Sequence, residues 1–364
     1  MRVVILYNAV SQHDTIEDKD VLIQVDVVSQ SLKRLGHELY MVACTLDLDL
    51  MREKLQRLRP DVVFNLVEAL HGDDSLIYLP PAVLDTMSVP YTGACAESLF
   101  LTTHKLLAKD RLFHAGLPTP AWIVQSPNSG DSMTFDLPAD LSATTQITAA
   151  KPSRWIVKGV WEQGSRDMDD DAVFSGDRQE VQERLRERVN RTGRPAFAEE
   201  FIDGREFNLA MLTGPGSVEI LPPAEIDFST FPAKKLRIVG YRAKWLPDSF
   251  EYNNTPQRFD FPEADRPLLD HLQDLAMRCW ELFMLRGWAR IDFRVDQNGR
   301  PWILEVNANP CLSPDAGFAT ALQHMGVSFD EAIRRILEEA LMRHREVAET
   351  ASSHSQSETK KKST

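Results

Sequence analysis

The stretch RIDFRVDQNGRPWILEVNANP, residues 290–310, restricts the folds open to this 364-residue chain more than any other. Asn298-Gly299 favours a two-residue type I′ hairpin turn, because both central residues need positive φ. Apolar and β-branched residues flank it at a two-residue period, as paired strands require. With Asn298 and Gly299 as the loop, Gln297 faces Arg300, Asp292 faces Glu305 and Arg290 faces Asn307. Residues directly opposite share a face, with Cβ atoms about 5 Å apart. Ile291, Phe293, Leu304 and Val306 form the other face and read as core.

A solvated amphipathic hairpin would satisfy part of this pattern. However, two facing carboxylates repel, and a purely structural hairpin would sooner pair Glu with Lys. A divalent cation removes the repulsion. Two carboxylates (Asp292, Glu305) and an amide (Asn307) offer hard oxygen ligands suited to Mg²⁺, which completes its shell with water and nucleotide phosphates. Arg290 would then serve a developing anion. The hairpin therefore predicts a metal–phosphate site, and the rest of the chain must supply the nucleotide pocket.

The N-terminal region has a βαβαβ rhythm: a buried strand at 2–7, a helix over 20–35 closed by Gly36, a strand at 38–43, a helix near 50–58 and a strand at 61–67. Such alternation means a parallel sheet covered by helices, an α/β architecture. No GxGxxG follows the first strand, so a dinucleotide fingerprint is absent. A helix ending at Gly116 follows. Residues 126–153 are rich in Ser, Thr, Pro and Asp and read as a surface connection or insertion. Strands are expected at 154–160, 195–201 and 206–212, and an exposed helix at 178–191. Residues 346–364 are apolar-poor and read as a disordered tail.

The formal charge of −13 argues against nucleic acid or an anionic membrane as the main partner. The four cysteines are scattered, which suits reduced thiols in the cytoplasm. There is no signal-like N-terminus and no run of apolar residues long enough to span a membrane.

Two lysines suit a phosphate clamp. Lys105 opens the second region, and Lys158 ends a strand beside a loop at Gly164-Ser165, where a cation and loop N–H groups can face one anion. In FAEEFIDGREFN, backbone atoms near Glu200, Phe201 and Ile202 could read an adenine edge, and Glu206 could accept from ribose hydroxyls. An exposed acidic hairpin is the alternative for that segment.

In this order, Lys105, Lys158 with its Gly/Ser loop, EEFIDGREFN, YRAKW, RIDF and EVNANP resemble an ATP-grasp ligase, and most nearly the D-alanine–D-alanine ligases and their relatives. PYTG, THK, AGLPTP and HGDD (71–74) are similar to segments of that family, and the resemblance runs from about residue 60 to 330. It implies a βαβ domain over 1–103, a central ATP-grasp lobe over 104–205, a C-terminal lobe over 206–345 carrying the metal hairpin, and the tail. It also implies that Lys105 and Lys158 contact ATP phosphates, that Gly164 and Ser165 close over them, and that Glu199, Glu200, Phe201, Ile202 and Glu206 hold adenine and ribose. Leu304 would pack beneath adenine. Asp292, Glu305 and Asn307 would ligate two Mg²⁺ ions, for which Mn²⁺ can substitute. Lys244 would reach the γ-phosphate, and Arg290 would stabilise the acyl-phosphate and tetrahedral species.

The implied activity joins a small carboxylate, such as an amino acid or short peptide, to an amine, releasing ADP and phosphate. Related enzymes are often dimers, so a homodimer is an option. An ATP-grasp kinase would make ADP without free phosphate, and a non-catalytic nucleotide-binding regulator would have lost a metal ligand or phosphate lysine. The chain departs from the family at several points. Glu17, Asp18 or Asp20 stands near the family's amine-binding Glu, Ala316 near a substrate-binding Ser, His104 where Asp precedes the lysine, and Arg242 where an acid is expected.

Overall fold

The computed structural model describes residues 1–12, 14–125, 153–162, 164–166, 168 and 170–361. Apart from Ser153, the stretch read as an insertion lies outside them. The N-terminal rhythm gives β1 (Arg2–Asn8), α1 (Ile16–Arg34), β2 (Glu38–Cys44), α2 (Leu48–Leu58) and β3 (Val62–Asn65). Their parallel order is β2-β1-β3. The central strand β1 buries side chains on both faces, as a sheet covered by helices demands.

Next come α3 (Leu79–Met87), α4 (Ala96–Thr103) and α5 (Lys105–His114). The single helix expected to end at Gly116 is thus two, broken at His104, whose ring Nδ1 accepts the N–H of Leu107 and caps α5. His104 thereby serves as an N-cap acceptor for an orphan N–H at the start of the helix.

The second sheet contains β4 (Trp122–Val124), β5 (Ser153–Gly159), β6 (Val173–Gly176) and β7 (Ala196–Glu200), ordered β4-β7-β5-β6, with α6 (Arg178–Thr192) against it. The third is built from β8 (Gly204–Thr213), β9 (Val218–Ile220), β10 (Ala224–Ile226), β11 (Gln257–Arg258), β12 (Trp288–Asp296) and β13 (Pro301–Asn307). Its path is β11-β10-β8-β12-β13, with β9 beside the end of β8. The short helices α7 (Tyr241–Trp245) and α8 (Phe250–Asn253) and the longer α9 (Arg266–Leu282), α10 (Gly317–Met325) and α11 (Phe329–Lys361) complete the chain. Among the described residues, no helix is long and apolar enough to cross a membrane.

Three expectations are corrected. The chain changes sheets between Glu200 and Gly204, so the boundary set at residue 205 falls inside β8. The boundary at residue 103 does not separate cores, because Leu99 of α4 and Ala108 and Leu112 of α5 bury in one cluster with Phe207, Leu209, Ile291 and Phe293 of the third sheet. Finally, α11 carries the backbone as helix to Lys361, through the supposed disordered tail. No Gly or Pro stands in 327–361 to stop the backbone, and a helix anchored by its packed first turns propagates at little cost.

Candidate active site

The hairpin pairs as read at its functional end and differs at its turn. Arg290 lies opposite Asn307, Ile291 opposite Val306 and Asp292 opposite Glu305. Towards the turn Phe293 meets Ile303, Arg294 meets Trp302 and Val295 meets Pro301. The loop has three residues rather than two: the Asp296 N–H donates to the Arg300 carbonyl, and Gly299, at φ 78°, donates to the Asp296 carbonyl. The Asp296 carboxylate also takes the amides of Asn298 and Arg300 at 2.9 and 3.0 Å, a side-chain turn that stabilises the longer loop. The register slip this causes is undone at Leu304, an extra residue in β13 that forms a bulge. Leu304 is consequently half-buried and outside the core cluster; Ile303 takes the core place expected of it.

Antiparallel pairing of β12 with β8 extends the polar face, placing Asn208 beside Asp292 and Glu206 beside Arg294. Asp292 accepts from Asn208 at 2.8 Å, from Asn307 at 3.2 Å, and from Arg290 through both oxygens at 2.7 and 2.8 Å. Lys105, at the start of α5, reaches Glu305 in an ion pair. Burial would raise the Glu305 carboxyl, but Lys105 and Lys244 outweigh it and hold it at about 2. Burial likewise works against the Arg290 guanidinium charge, and Asp292 more than restores it. Lys244, on α7, is pushed down by burial and by Arg290, while Glu305, Asp292 and Glu206 support its charge. Two carboxylates and an amide thus meet with three cations around them. This donor set fits Mg²⁺, which needs few protein ligands when phosphate oxygens supply the rest. Among the described residues, no group of three or more His, Cys, Asp or Glu side chains gathers to hold a metal ion.

Lys158 lies at the end of β5, its Nζ 2.5 Å from Glu199. Glu199, implied by the resemblance to help hold adenine and ribose, is a buried side chain. It is 1 % exposed and also holds Lys109 at 2.6 Å. Lys109, missed in the sequence, is 2 % exposed; it donates to Thr119 at 2.8 Å and lies 5.3 Å from the centre of the Trp122 ring. A buried carboxylate between two ammonium groups stays ionised, although burial opposes it. The i, i+4 spacing of Lys105 and Lys109 could have signalled two inward lysines on one helix face. Of the adenine-edge stretch, the Glu200 and Phe201 amides are already spent on the Ala121 and Arg154 carbonyls. Glu206 pairs with Arg294 at 2.8 Å.

Gly164 and Ser165 both have positive φ, 67° and 59°, and their loop is tied to the segment carrying Lys244. The Gly164 carbonyl accepts from Trp245 Nε1 at 2.8 Å, and Ser165 Oγ donates to the Val239 carbonyl at 2.9 Å. The next residue, Arg166, pairs with Glu17 and Asp18 at 3.2 and 3.3 Å, and Tyr241 donates to Glu17 at 2.7 Å. All three acids near the expected amine site are engaged, since Asp20 accepts from Ser313 Oγ at 3.1 Å and Cys311 Sγ at 3.0 Å. Glu68, also unforeseen, receives Gln24 at 2.9 Å; burial pushes its carboxyl up to about 8, with Asp20, Asp74 and Asp18 adding to the shift. Ala316 caps α10 without a side-chain hydrogen bond.

Comparison with known proteins places this geometry. The family described as the D-ala D-ala ligase C-terminus matches residues 175–338. A D-alanine–D-alanine ligase of Methylococcus capsulatus is 31% identical over 290 residues, covering 80% of this chain and 82% of its own. One from Aquifex aeolicus is 27% identical over 340 residues, covering 93% and 100%. The crystal structure of the Bacillus anthracis D-alanine–D-alanine ligase complexed with ATP superposes with a TM-score of 0.68 over 95% of this chain and 99% of that one, at 18% identity. The fold is therefore the ATP-grasp fold of these ligases, and the chain belongs to the D-alanine–D-alanine ligase family.

Proposed function

We propose that this protein is an ATP-dependent carboxylate–amine ligase of the cytoplasm, joining amino acids or short peptides through an acyl phosphate. The observation that carries this reading is the convergence of Asp292, Glu305 and Asn307 with Lys105, Lys244 and Arg290 on one polar sheet face. A substrate carboxylate oxygen attacks the γ-phosphorus, and the bond to the β–γ bridging oxygen breaks, freeing ADP. The second substrate's amine then attacks the acyl carbon and inorganic phosphate leaves. Lys105 and Lys158 neutralise phosphate oxygens, Lys244 serves the transferred group, and Arg290 faces the oxyanion of the tetrahedral species. Mg²⁺ held by Asp292, Glu305 and Asn307 would supply further charge neutralisation on the phosphates. No protein nucleophile is required.

Substrate selection falls to the altered end of the site. Glu17, Asp18, Asp20 and Asp74 gather there with Arg166 as counter-charge, beside Glu68, whose raised carboxyl stays protonated at neutral pH. That balance favours substrates bringing positive charge, so basic amino acids belong in any screen beside D-alanine.

The test is phosphate release from Mg-ATP across D- and L-amino acids and small carboxylic acids, singly and in pairs. Phosphate is expected only with particular pairs, and Glu305→Gln should reduce it at least about a hundredfold, the scale of losing a group that stabilises transition-state charge. ADP formed with one compound and no free phosphate would make the protein a kinase.

A further inference from the structure

Arg294 stands two residues beyond Asp292 on the same strand, and so on the same face of the sheet. Its side chain is 4 % exposed. Nη2 lies 2.8 Å from Glu206 Oε2 and also donates to the Arg237 carbonyl, and Nη1 donates to the Gly204 carbonyl at 3.3 Å. The rings of Phe201 and Phe228 each have their centres 5.7 Å from the guanidinium carbon. One side chain thus joins the turn between the second and third sheets, the carboxylate of β8, and the segment leading to Lys244.

A surface ion pair would need none of this. A buried guanidinium is retained where its planar fork satisfies several acceptors at once, which an ammonium on a flexible stem cannot do. The pair engages Glu206 through Oε2, fixing the rotamer of a carboxylate that would otherwise lose freedom when a ligand binds. We infer that Arg294 is a positioning residue for the nucleotide: it holds Glu206 in the orientation that accepts the sugar hydroxyls. This rests on the ATP-dependent reading above.

The experiment measures binding of ATP and of 2′,3′-dideoxy-ATP, each with Mg²⁺ and no other substrate, by titration calorimetry. The intact protein should prefer ATP by about tenfold, the scale of hydrogen bonds to a charged acceptor. Arg294→Met should weaken ATP about fivefold and leave the dideoxy nucleotide nearly unchanged, so that the preference shrinks to about twofold. Glu206→Gln should erase the same preference, and the double variant should lose nothing further. Arg294→Lys provides a second route if the Met variant does not fold, and should retain about a third of the preference.

Equal weakening of both nucleotides would make Arg294 merely structural and overturn the inference, as would an undiminished preference in the Lys variant. An intact protein that binds both nucleotides equally well overturns it while leaving the ATP reading in place. Failure of the intact protein to bind ATP at all overturns both.

Discussion

His104 shows how one side chain can satisfy two demands. It is 5 % exposed, lies edge-on to Trp161 with ring centres 4.3 Å apart, and caps the helix that presents Lys105. Burial pushes its ring down to about 4 from the ordinary 6.5. Between those values the unfolded chain binds a proton that the folded chain refuses, so stability is lost as pH falls through that window. The slope from one such group is at most about 1.4 kcal/mol per pH unit. His104→Asn keeps a cap acceptor and removes the titration. Urea unfolding between pH 4 and 7 should be less pH-dependent in the variant, and an unchanged slope would mean that His104 is not the group responsible. Lys109 and Glu199 make the complementary point. Helix spacing hints that Lys109 points inward, but its pairing with Glu199 was not visible in sequence, because a lysine enters a core only when the fold delivers a carboxylate to it, here from 90 residues away.

At the scale of elements, the hairpin teaches most. Its polar-face pairs were legible from period-two alternation about the Asn-Gly turn, yet both the turn length and the strand regularity were misread. The errors cancel, because a three-residue loop shifts the register by one and the Leu304 bulge shifts it back. The Asn-Gly signal was outcompeted by Asp296, whose carboxylate rewards the longer loop with two amide hydrogen bonds. Arg294 was legible by the same alternation that identified Arg290 and Asp292. The junction of β8 and β12 gives a sharp test. A Cβ on Gly204 would lie 2.0 Å from the Val295 carbonyl oxygen, a backbone atom that cannot move without parting the central strands. Gly204→Ala should cost about 3 kcal/mol, the upper end of core overpacking, seen as a lower urea midpoint. A loss under about 0.5 kcal/mol would show that the ladder yields there.

Across the whole molecule, the site is closed by contacts between segments far apart in the chain. Glu17 comes from α1, Arg166 from the loop after β5, and Tyr241 from α7, and the Tyr241 amide bonds the Met168 carbonyl at 2.9 Å. The Arg166 pairs are mostly buried, with side chains 10–19 % exposed, so Arg166→Ala leaves Glu17 and Asp18 without their counter-charge and should lower global stability by about 1–3 kcal/mol. Local opening should respond more, with faster amide exchange in peptides covering 155–166 and 237–246. Unchanged exchange would show that hydrogen bonds of Trp245 and Ser165 hold the loop without it.

The sequence by itself determined what depends on neighbours along the chain: the parallel N-terminal unit, the strand alternation, and the pairing of Asp292 with Glu305 and Arg290 with Asn307. Periodicity carries such information because each strand or helix repeats its facing every two or 3.6 residues. Only the tertiary structure decided that α4 and α5 share the third sheet's core, that α11 covers the first sheet beside α1, and that Glu199, Glu206 and Glu17 each meet the cation they do. Charge pairing has no period. A buried ion finds its partner through desolvation, which acts only once the fold has brought distant segments together.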